Sequence, residues 1–136
     1  MECIFCKIAS GIIPAAKVYE DKDFLAFLDI SPVNKGHTLV ITKRHYQTFL
    51  DLPEKELTSI NKVCQRISIA LMKATNAHGF NLVMNNNPAA GQIVFHAHFH
   101  IVPRFSDDGH KFFPSEKLSY IKDEDRKLAE RIKSLL

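Results

Sequence analysis

The longest regular pattern of apolar residues lies in the middle of the chain and predicts a helix. Apolar side chains recur there at intervals of three and four residues, at Leu57, Ile60, Val63, Cys64, Ile67 and Leu71. This is the spacing of one buried face of an α-helix. Pro53 lies near the first turn, where proline is tolerated, and the pattern stops near Asn76–Gly79. We therefore expect one long amphipathic helix packed on a sheet.

Shorter runs of β-branched and aromatic residues predict the strands of that sheet. The expected strands are residues 17–20, 24–29, 37–42, 80–85 and 93–102. A helical turn is expected over residues 5–10, and a weaker helical pattern covers residues 119–135. The predicted fold is α+β, a single domain with a five-stranded, mainly antiparallel sheet, one long helix, a short N-terminal helix and a C-terminal helical tail. We place the domain core at residues 1–104 and the tail at residues 105–136, packed on the same domain.

The composition fits an ordinary globular domain and excludes several other classes of protein. Of 136 residues, 46% are hydrophobic and 24% are charged, which excludes a disordered chain. No window approaches the roughly 18 apolar residues that a membrane helix needs. The net charge of +3 is small and scattered, so we expect neither a nucleic-acid nor a membrane partner. The first residues lack the pattern of an export signal, and a cytoplasmic location is expected.

Three of the seven histidines alternate with apolar residues near the end of the last predicted strand. In a strand, His96, His98 and His100 would project to one side while Phe95, Ala97, Phe99 and Ile101 face the core. Two chemistries use such a row. A catalytic zinc takes histidine pairs as ligands, and a neutral imidazole can attack phosphorus and form a covalent intermediate. In the second case, backbone donors of the preceding loop, residues 87–92, would hold the phosphate. The spacing does not separate the two chemistries.

The pair Cys3 and Cys6 raises a similar choice. Its spacing is that of half a zinc site, but two thiolates do not close a tetrahedron. A redox pair is expected at a helix N-terminus that follows a strand. From the residues alone, zinc binding, redox chemistry and plain packing stay open.

The chain resembles the histidine triad (HIT) superfamily, in the bacterial form of its Hint-like branch. The residues that carry the resemblance span roughly positions 3–104. They are His96-Ala97-His98-Phe99-His100-Ile101-Val102, Ile4-Phe5-Cys6-Lys7-Ile8, Ile13-Pro14-Ala15, Phe27-Leu28-Asp29-Ile30-Ser31-Pro32, Gly36-His37-Thr38-Leu39-Val40-Ile41 and Gly91-Gln92.

The resemblance implies a hydrolase that cleaves purine nucleoside 5′-phosphoramidates or related AMP conjugates without a cofactor in the chemical step. His98 corresponds to the nucleophile that attacks the α-phosphate, and His37 and His100 correspond to its supports. Asn85 and Gln92 correspond to residues around the phosphate and the leaving group.

The resemblance also assigns a nucleotide pocket. Asp29 corresponds to the acceptor of the ribose hydroxyls, a role that suits a carboxylate because it can accept two hydrogen bonds at once. Residues that correspond to the apolar slot for the purine are Phe5, Ile8, Phe27 and Ile30. Ordinary core packing is the alternative for these four.

Bacterial relatives bind a structural zinc with residues that correspond to Cys3, Cys6, His45 and His96. This assignment takes His96 out of catalysis. The family pattern also implies a homodimer, with the long helix and a sheet edge at its interface.

One position departs from the family pattern. Members that hydrolyse nucleotides often carry Ser or Thr where this chain has Ile93, and that hydroxyl reaches the leaving group. Three alternatives therefore stay open: a nucleotide-binding or interaction module with little turnover, a dinucleoside polyphosphate hydrolase, and a zinc hydrolase that uses the histidine row as its metal cage.

Overall fold

A five-stranded antiparallel sheet forms the centre of the protein. The computed structural model describes residues 2–113 and 116–136. The strands are β1 (Lys17–Glu20), β2 (Phe24–Leu28), β3 (Thr38–Thr42), β4 (Gly79–Val83) and β5 (His98–Arg104). They lie in the order β1-β2-β3-β5-β4, and every neighbouring pair is antiparallel. The helices are α1 (Ile4–Ala9), α2 (Glu54–Thr75) and α3 (Glu124–Ser134). The predicted fold class is confirmed.

Helix α2 covers one face of the sheet. Its apolar residues Ile60, Val63, Cys64, Ile67 and Leu71 pack against strand residues Phe24, Ala26, Val40, Phe99 and Ile101. The period of three and four residues in the sequence therefore marks the buried face of this helix.

The opposite face of the sheet is covered in part by α1. Cys3, Phe5 and Ile8 pack there against Leu25, Phe27, Leu39 and Ile41. Because both faces are covered, nearly every residue of β2 and all of β3 are buried. This explains why these two strands form continuous apolar runs in the sequence.

The last strand differs most from its prediction. It begins at His98, not at residue 93, because the residues before His98 form no ladder with either neighbouring strand. The ladder with β3 ends at the pair Ile41–His98, and the ladder with β4 ends at Val83–His100. Residues 93–97 form a loop that is fixed by a hydrogen bond from the Ala97 amide to the Tyr46 carbonyl.

Other boundaries shift by a few residues. Strand β4 ends at Val83, so Asn85 lies in the loop that follows. The tail helix spans Glu124–Ser134 and has no buried residue, whereas we expected the tail to pack on the domain. The start of the tail is held to the domain, since Asp108 accepts hydrogen bonds from Arg104, Asn34 and the Phe105 amide. The domain boundary at residue 104 stays a prediction.

Within the part of the chain that the structure describes, no helix combines the length and the apolar character that crossing a membrane requires.

Gly36 controls how closely the start of β3 approaches the end of α2. Its φ is +103°, and a Cβ at this position would lie 3.0 Å from both Leu71 Cδ1 and Thr75 Cγ2. Glycine is needed here for its conformation and for its size.

We expect Gly36→Ala to lower the free energy of unfolding by about 2–4 kcal/mol, since it adds steric overlap to the cost of a positive φ. Gly11→Ala is the matched control, because Gly11 has a φ of +82° and no atom within 4 Å of the added Cβ. That control should cost about 1 kcal/mol. Urea denaturation measures both, and equal losses would show that the contact with α2 adds no penalty.

Candidate functional site

His98 is held in a single tautomer by the backbone of its own strand. Its ring is buried, and Nδ1 lies 2.7 Å from the carbonyl oxygen of His96. A carbonyl can only accept a hydrogen bond, so Nδ1 must carry the proton. The lone pair is then on Nε2, which is the atom a nucleophilic imidazole needs.

A chain of hydrogen bonds fixes the two supporting histidines in the same way. The Val33 amide donates to His37 Nδ1 at 3.1 Å, so the proton of neutral His37 is on Nε2. His37 Nε2 lies 2.9 Å from His100 Nδ1, which therefore accepts. His100 must then carry its own proton on Nε2. The chain delivers an N–H group beside the nucleophile, where the rings of His98 and His100 are 4.9 Å apart.

Burial keeps these imidazoles neutral. Desolvation lowers the pKa of His98 and of His37, although Asp29 partly opposes the shift in both. Desolvation, together with the neighbouring rings of His98 and His37, lowers the pKa of His100 to about 4. At neutral pH, His98 is therefore neutral with a free lone pair on Nε2, and the cluster carries no positive charge of its own.

Asp29 follows β2 and lies beside this cluster. Its Oδ1 accepts a hydrogen bond from the Ser31 amide at 2.9 Å, and its Oδ2 lies 3.7 Å from His37 Nε2. The first contact closes a tight turn that fixes the carboxylate. The second oxygen remains at the edge of a cleft, where hydroxyl groups of a ligand can reach it.

These residues share one cleft of about 460 Å³, which we call the nucleotide cleft. Its polar lining includes His98, His100, Asp29 and Asn85, and its apolar wall includes Phe5, Ile8, Phe27, Ile30 and Leu39. The edge of the Phe5 ring faces the His98 ring at a centroid distance of 5.0 Å. Phe5, Ile8 and Phe27 are also core residues. The same side chains therefore pack in the core and line the cleft.

The structure does not bring Gln92 to this cleft. Its side chain is buried, with Nε2 donating to the carbonyls of Gln47 and Val94 and Oε1 accepting from the Asn87 amide. Gln92 therefore shapes the loop and has no free polar group for a ligand. The expectation that it lies beside the leaving group is not supported.

The loop amides behave differently from our expectation as well. The amides of Asn87, Ala90, Gly91 and Gln92 all donate within the loop itself. They are not free to hold a phosphate. The loop contributes instead through Gly91, whose φ of +88° favours glycine and which lies beside the Asn85 amide group, and through Ile93, which lines the cleft.

A second cluster, of two cysteines and two histidines, lies at the N-terminus of α1. The donor atoms of Cys3, Cys6, His45 and His96 are all within 4.8 Å of one another. Nδ1 of His96 lies 3.4 Å from Cys3 Sγ and 3.5 Å from Cys6 Sγ, and Nδ1 of His45 lies 3.4 Å from Cys6 Sγ. A zinc tetrahedron with bonds of about 2.0–2.3 Å has edges of about 3.3–3.8 Å. The donor set and its spacing therefore fit zinc.

His96 is oriented as such a ligand requires. Its Nε2 donates to the Thr42 carbonyl at 2.7 Å, which leaves the Nδ1 lone pair facing the thiols. A metal-binding histidine usually donates the N–H of its other ring nitrogen to a carbonyl, a carboxylate or water, and this bond fixes the orientation of the ring. The sequence predicts the three histidines on one side of a strand and His96 among the zinc ligands. His96 lies just before β5, and its Nδ1 faces the two cysteines.

A second possible metal cluster is opposed by hydrogen bonds already described. Asp29, His37 and His100 bring their donor atoms within 4.8 Å of one another. Binding through His37 Nε2 would force the proton onto Nδ1, where it would meet the Val33 N–H. This disfavours a metal ion held by these three residues.

The remaining candidates are bystanders. Cys64 is buried in the core under α2, and burial raises the pKa of its thiol to about 12. His78 accepts a hydrogen bond from the Ser106 amide. The groups that sequence reasoning missed are all backbone atoms: the Val33 amide and the carbonyls of His96 and Thr42. Backbone groups are present at every position, so no side-chain pattern could mark them.

Comparison with known protein families identifies this architecture. The family model described as the HIT domain matches residues 10–107. The chain belongs to the HIT family. An uncharacterised HIT-like protein of Methanocaldococcus jannaschii is 51% identical over 107 residues, which cover 79% of this chain and 82% of that protein. An adenylylsulfatase of Arabidopsis thaliana, HINT3, is 44% identical over 107 residues, 79% of this chain and 54% of that protein.

Solved structures of HIT proteins have the same fold. A HIT-family protein of Bacillus subtilis superposes with a TM-score of 0.91 at 39% identity and covers 100% of this chain and 98% of its own. A zinc-bound histidine triad protein of Mycobacterium smegmatis superposes with a TM-score of 0.78 at 38% identity. The superposition covers 100% of this chain and 99% of that protein's chain.

Proposed function

We propose that this HIT protein hydrolyses conjugates of purine nucleoside 5′-monophosphates through a covalent intermediate on His98. The observation that carries the proposal is the tautomer of His98. Its Nδ1 is bound to the His96 carbonyl, and its Nε2 is left for attack in a cleft that also holds Asp29 and Asn85. Phosphoramidates and mixed anhydrides of AMP both fall within this class.

The first step forms a bond from His98 Nε2 to the α-phosphorus and breaks the bond from phosphorus to the leaving group, which departs with the electron pair of that bond. An amine leaving group also takes up a proton from solvent. The imidazole then carries a positive charge. The hydrogen bond from Nδ1 to the His96 carbonyl strengthens as this charge develops, because a charged donor bonds more strongly than a neutral one. The carboxylate of Asp29 also favours the charged ring, as its effect on the pKa of His98 shows.

In the second step, water attacks the phosphorus and gives up one proton to solvent, and the electron pair of the N–P bond returns to Nε2. Nucleoside monophosphate leaves, and His98 regains its neutral form. The N–H of His100 and the amide of Asn85 are suited to bind phosphate oxygens in both steps, since both are donors on the cleft wall. His37 acts through His100 and is a positioning residue.

The rest of the cleft fits a purine nucleoside. Asp29 can accept the two ribose hydroxyls. Phe5, Ile8, Phe27 and Leu39 offer apolar surface for the base, with Ile30 at the rim. Sites for small molecules combine such apolar walls with a few polar groups that fix orientation.

Two alternative functions are compatible with the same cleft. A binding module with little turnover would have the same cleft but would form no covalent adduct. A dinucleoside polyphosphate hydrolase would use the same nucleophile on a nucleotide leaving group. The name of the A. thaliana relative points to adenylyl sulfate, which is itself a mixed anhydride of AMP.

We further propose that Cys3, Cys6, His45 and His96 bind one structural zinc ion. The fit of the four donor atoms to a tetrahedron supports this, as does the zinc-bound relative from M. smegmatis. Such an ion would stabilise the fold by linking α1 to the loop before β5. Without metal, burial and the neighbouring Cys3 raise the pKa of Cys6 to about 11, so zinc binding releases thiol protons.

Finally, we propose that the protein is a homodimer formed through β4 and α2. Strand β4 is an edge of the sheet, and its Phe80 and Leu82 are partly exposed. They line an apolar cleft of about 530 Å³ together with Ile69 and Met72 of α2. An edge strand with exposed apolar residues favours pairing with a second chain.

For the nucleophile, we expect His98→Ala to lower the hydrolysis of an adenosine 5′-phosphoramidate by at least about 10³-fold, because the covalent path is lost. Rapid quench and intact mass spectrometry should show one AMP group on the wild type, located on the peptide with His98. The variant should show none. His110→Ala is the control and should retain the adduct. An adduct on another residue would contradict the assignment.

For zinc, we expect about one ion for each chain by elemental analysis, and a fall in Tm after chelation. Cys3→Ser should lose most of the metal. Cys64→Ser should keep it, since Cys64 is distant from the cluster in the core under α2. Equal zinc content in the two variants would count against the site.

For the dimer, we expect light scattering to give the mass of two chains for the wild type and of one chain for Leu82→Glu, because a charge on β4 must be desolvated in the interface. Val18→Glu places the same charge on β1, the other edge of the sheet, and should remain dimeric. A monomeric wild type would refute the interface.

A further inference from the structure

The segment between β2 and β3, residues 29–37, carries two groups of the site but is only partly buried. We call it the β2–β3 loop. It begins with Asp29 and ends with His37, whose Nδ1 accepts a hydrogen bond from the Val33 amide. Between them, Ile30 is 98% exposed, and the next two residues are exposed as well. A loop with so few buried side chains is held in place mainly by its polar contacts. The tautomer of His37 therefore depends on the contacts that hold Val33.

Asn34 provides such a contact. Its Nδ2 donates to the Pro103 carbonyl at 2.9 Å and to Asp108 Oδ2 at 3.0 Å. Its own carbonyl accepts a hydrogen bond from the His37 amide at 3.0 Å. The side chain therefore fastens the loop to the end of β5, and the backbone fastens His37 to the loop. Because Val33 is the neighbour of Asn34 in the chain, the same contacts keep its N–H directed at His37 Nδ1.

Asp108 is a rigid acceptor for Asn34. Its side chain is 8% exposed, and Arg104 donates to it through Nε at 2.8 Å and through Nη2 at 2.7 Å. The amides of Phe105 and His110 also donate to it. These hydrogen bonds, above all those from Arg104, hold the pKa of Asp108 well below its usual range. Asp108 is therefore a carboxylate at neutral pH, and a charged acceptor forms stronger hydrogen bonds than a neutral one.

Arg104 connects this carboxylate to the sheet. It is the last residue of β5, and its Nη1 donates to Asn81 Oδ1 of β4 at 2.7 Å. The guanidinium also lies over the Phe112 ring, 5.2 Å from the ring centroid. A chain of hydrogen bonds thus runs from two strands through Arg104 and Asp108 to Asn34 and the β2–β3 loop. These three residues do not line the nucleotide cleft, so any effect they have on the reaction must pass through the loop.

We propose that Asn34, with Asp108 as its anchor, is a positioning residue for the phosphate-binding N–H of His100. This inference rests on the proposed function. Asn34 keeps the Val33 N–H directed at His37 Nδ1, so the proton of neutral His37 stays on Nε2. That proton is donated to His100 Nδ1. The proton of His100 is thereby kept on Nε2, where it can bind a phosphate oxygen.

Loss of the Asn34 contacts would release this arrangement. Once the Val33 N–H no longer faces His37 Nδ1, that nitrogen can carry the proton instead. His37 Nε2 would then be an acceptor facing the acceptor Nδ1 of His100, and the His100 proton would move to Nδ1 to restore the hydrogen bond. The phosphate would meet a lone pair in place of a donor. The nucleoside end of the substrate would bind as before, so the loss would appear in kcat and not in KM.

The first test measures kcat and KM of Asn34→Ala with an adenosine 5′-phosphoramidate. We expect kcat to fall about tenfold, a fraction of the roughly 10²–10³-fold that the complete loss of a transition-state donor costs. KM should stay within about twofold of the wild-type value. Wild-type kcat in Asn34→Ala would overturn the inference.

The anchor is tested by two neighbouring carboxylates. Asp108→Asn should also lower kcat, because one oxygen that accepts hydrogen bonds becomes an NH2 group that cannot accept them. Asp107→Asn is the matched control, since Asp107 is the preceding residue and is exposed. It should keep the wild-type kcat. Equal kcat values for these two variants would show that Asp108 does not anchor the loop for catalysis.

A double-mutant cycle separates positioning from a general loss of structure. In a His37→Phe background, Asn34→Ala should change kcat by less than about twofold, because its effect acts through ring nitrogens that are already absent. A merely structural defect would lower kcat by the same factor in both backgrounds. That result would overturn the inference.

Nitrogen-15 NMR of the imidazole side chains tests the tautomer without substrate. In the wild type and in Asp107→Asn, we expect the proton of neutral His37 on Nε2. In Asn34→Ala, a measurable fraction of His37 should carry it on Nδ1. An unchanged His37 tautomer in Asn34→Ala would overturn the inference even if the adduct on His98 forms. Absence of that adduct from the wild type would instead overturn the proposed function, so the two failures are distinguishable.

Discussion

The hydrogen bond from His98 Nδ1 to the His96 carbonyl is the interaction on which the site depends. It is made within one short segment, so the backbone that orients the proposed nucleophile also carries His96 into the cluster with Cys3, Cys6 and His45. The Thr42 carbonyl accepts a hydrogen bond from the other nitrogen of the His96 ring. A displacement of this segment would disturb His98 and the cysteine–histidine cluster together. The loop of residues 93–97, whose Ala97 amide donates to the Tyr46 carbonyl, is therefore part of the candidate site although the proposed function assigns no catalytic side chain to it.

Helix α1 connects the same two sites from the other direction. Cys3 and Cys6 contribute to the metal cluster, while Phe5 between them lies against both His96 and His98. The six-residue helix is too short to be stable alone. Its position depends on packing against β2 and β3 and on the cluster at its N-terminus. The wall of the nucleotide cleft is thus built on an element that tertiary contacts hold in place.

Much of this arrangement could be predicted from sequence. The face of α2 followed from apolar spacing, and the histidine motif and its neighbours identified the family and the fold. The failures share one cause. Residues 93–97 were expected to be the start of the last strand, but they form a loop, and the Ala97 amide donates to the Tyr46 carbonyl outside the sheet. Gln92 looked like a ligand contact, but its amide satisfies the loop instead. Both outcomes depend on which backbone groups lie opposite in space, and no local pattern carries that information. In the tail, the local pattern predicted a helix correctly. It did not predict that the helix has no buried residue.

The alternation along β5 has a consequence for how reliably this protein folds into its active form. Phe99 and Ile101 face the core under α2, while His98 and His100 face the cleft. A slip of one residue in strand pairing would place two imidazoles in the apolar core and two large apolar side chains in the cleft. Stability and chemistry would fail together, so a chain that has mispaired cannot persist as a stable but inactive molecule. Correct pairing of β5 and correct placement of His98 in the cleft therefore occur together.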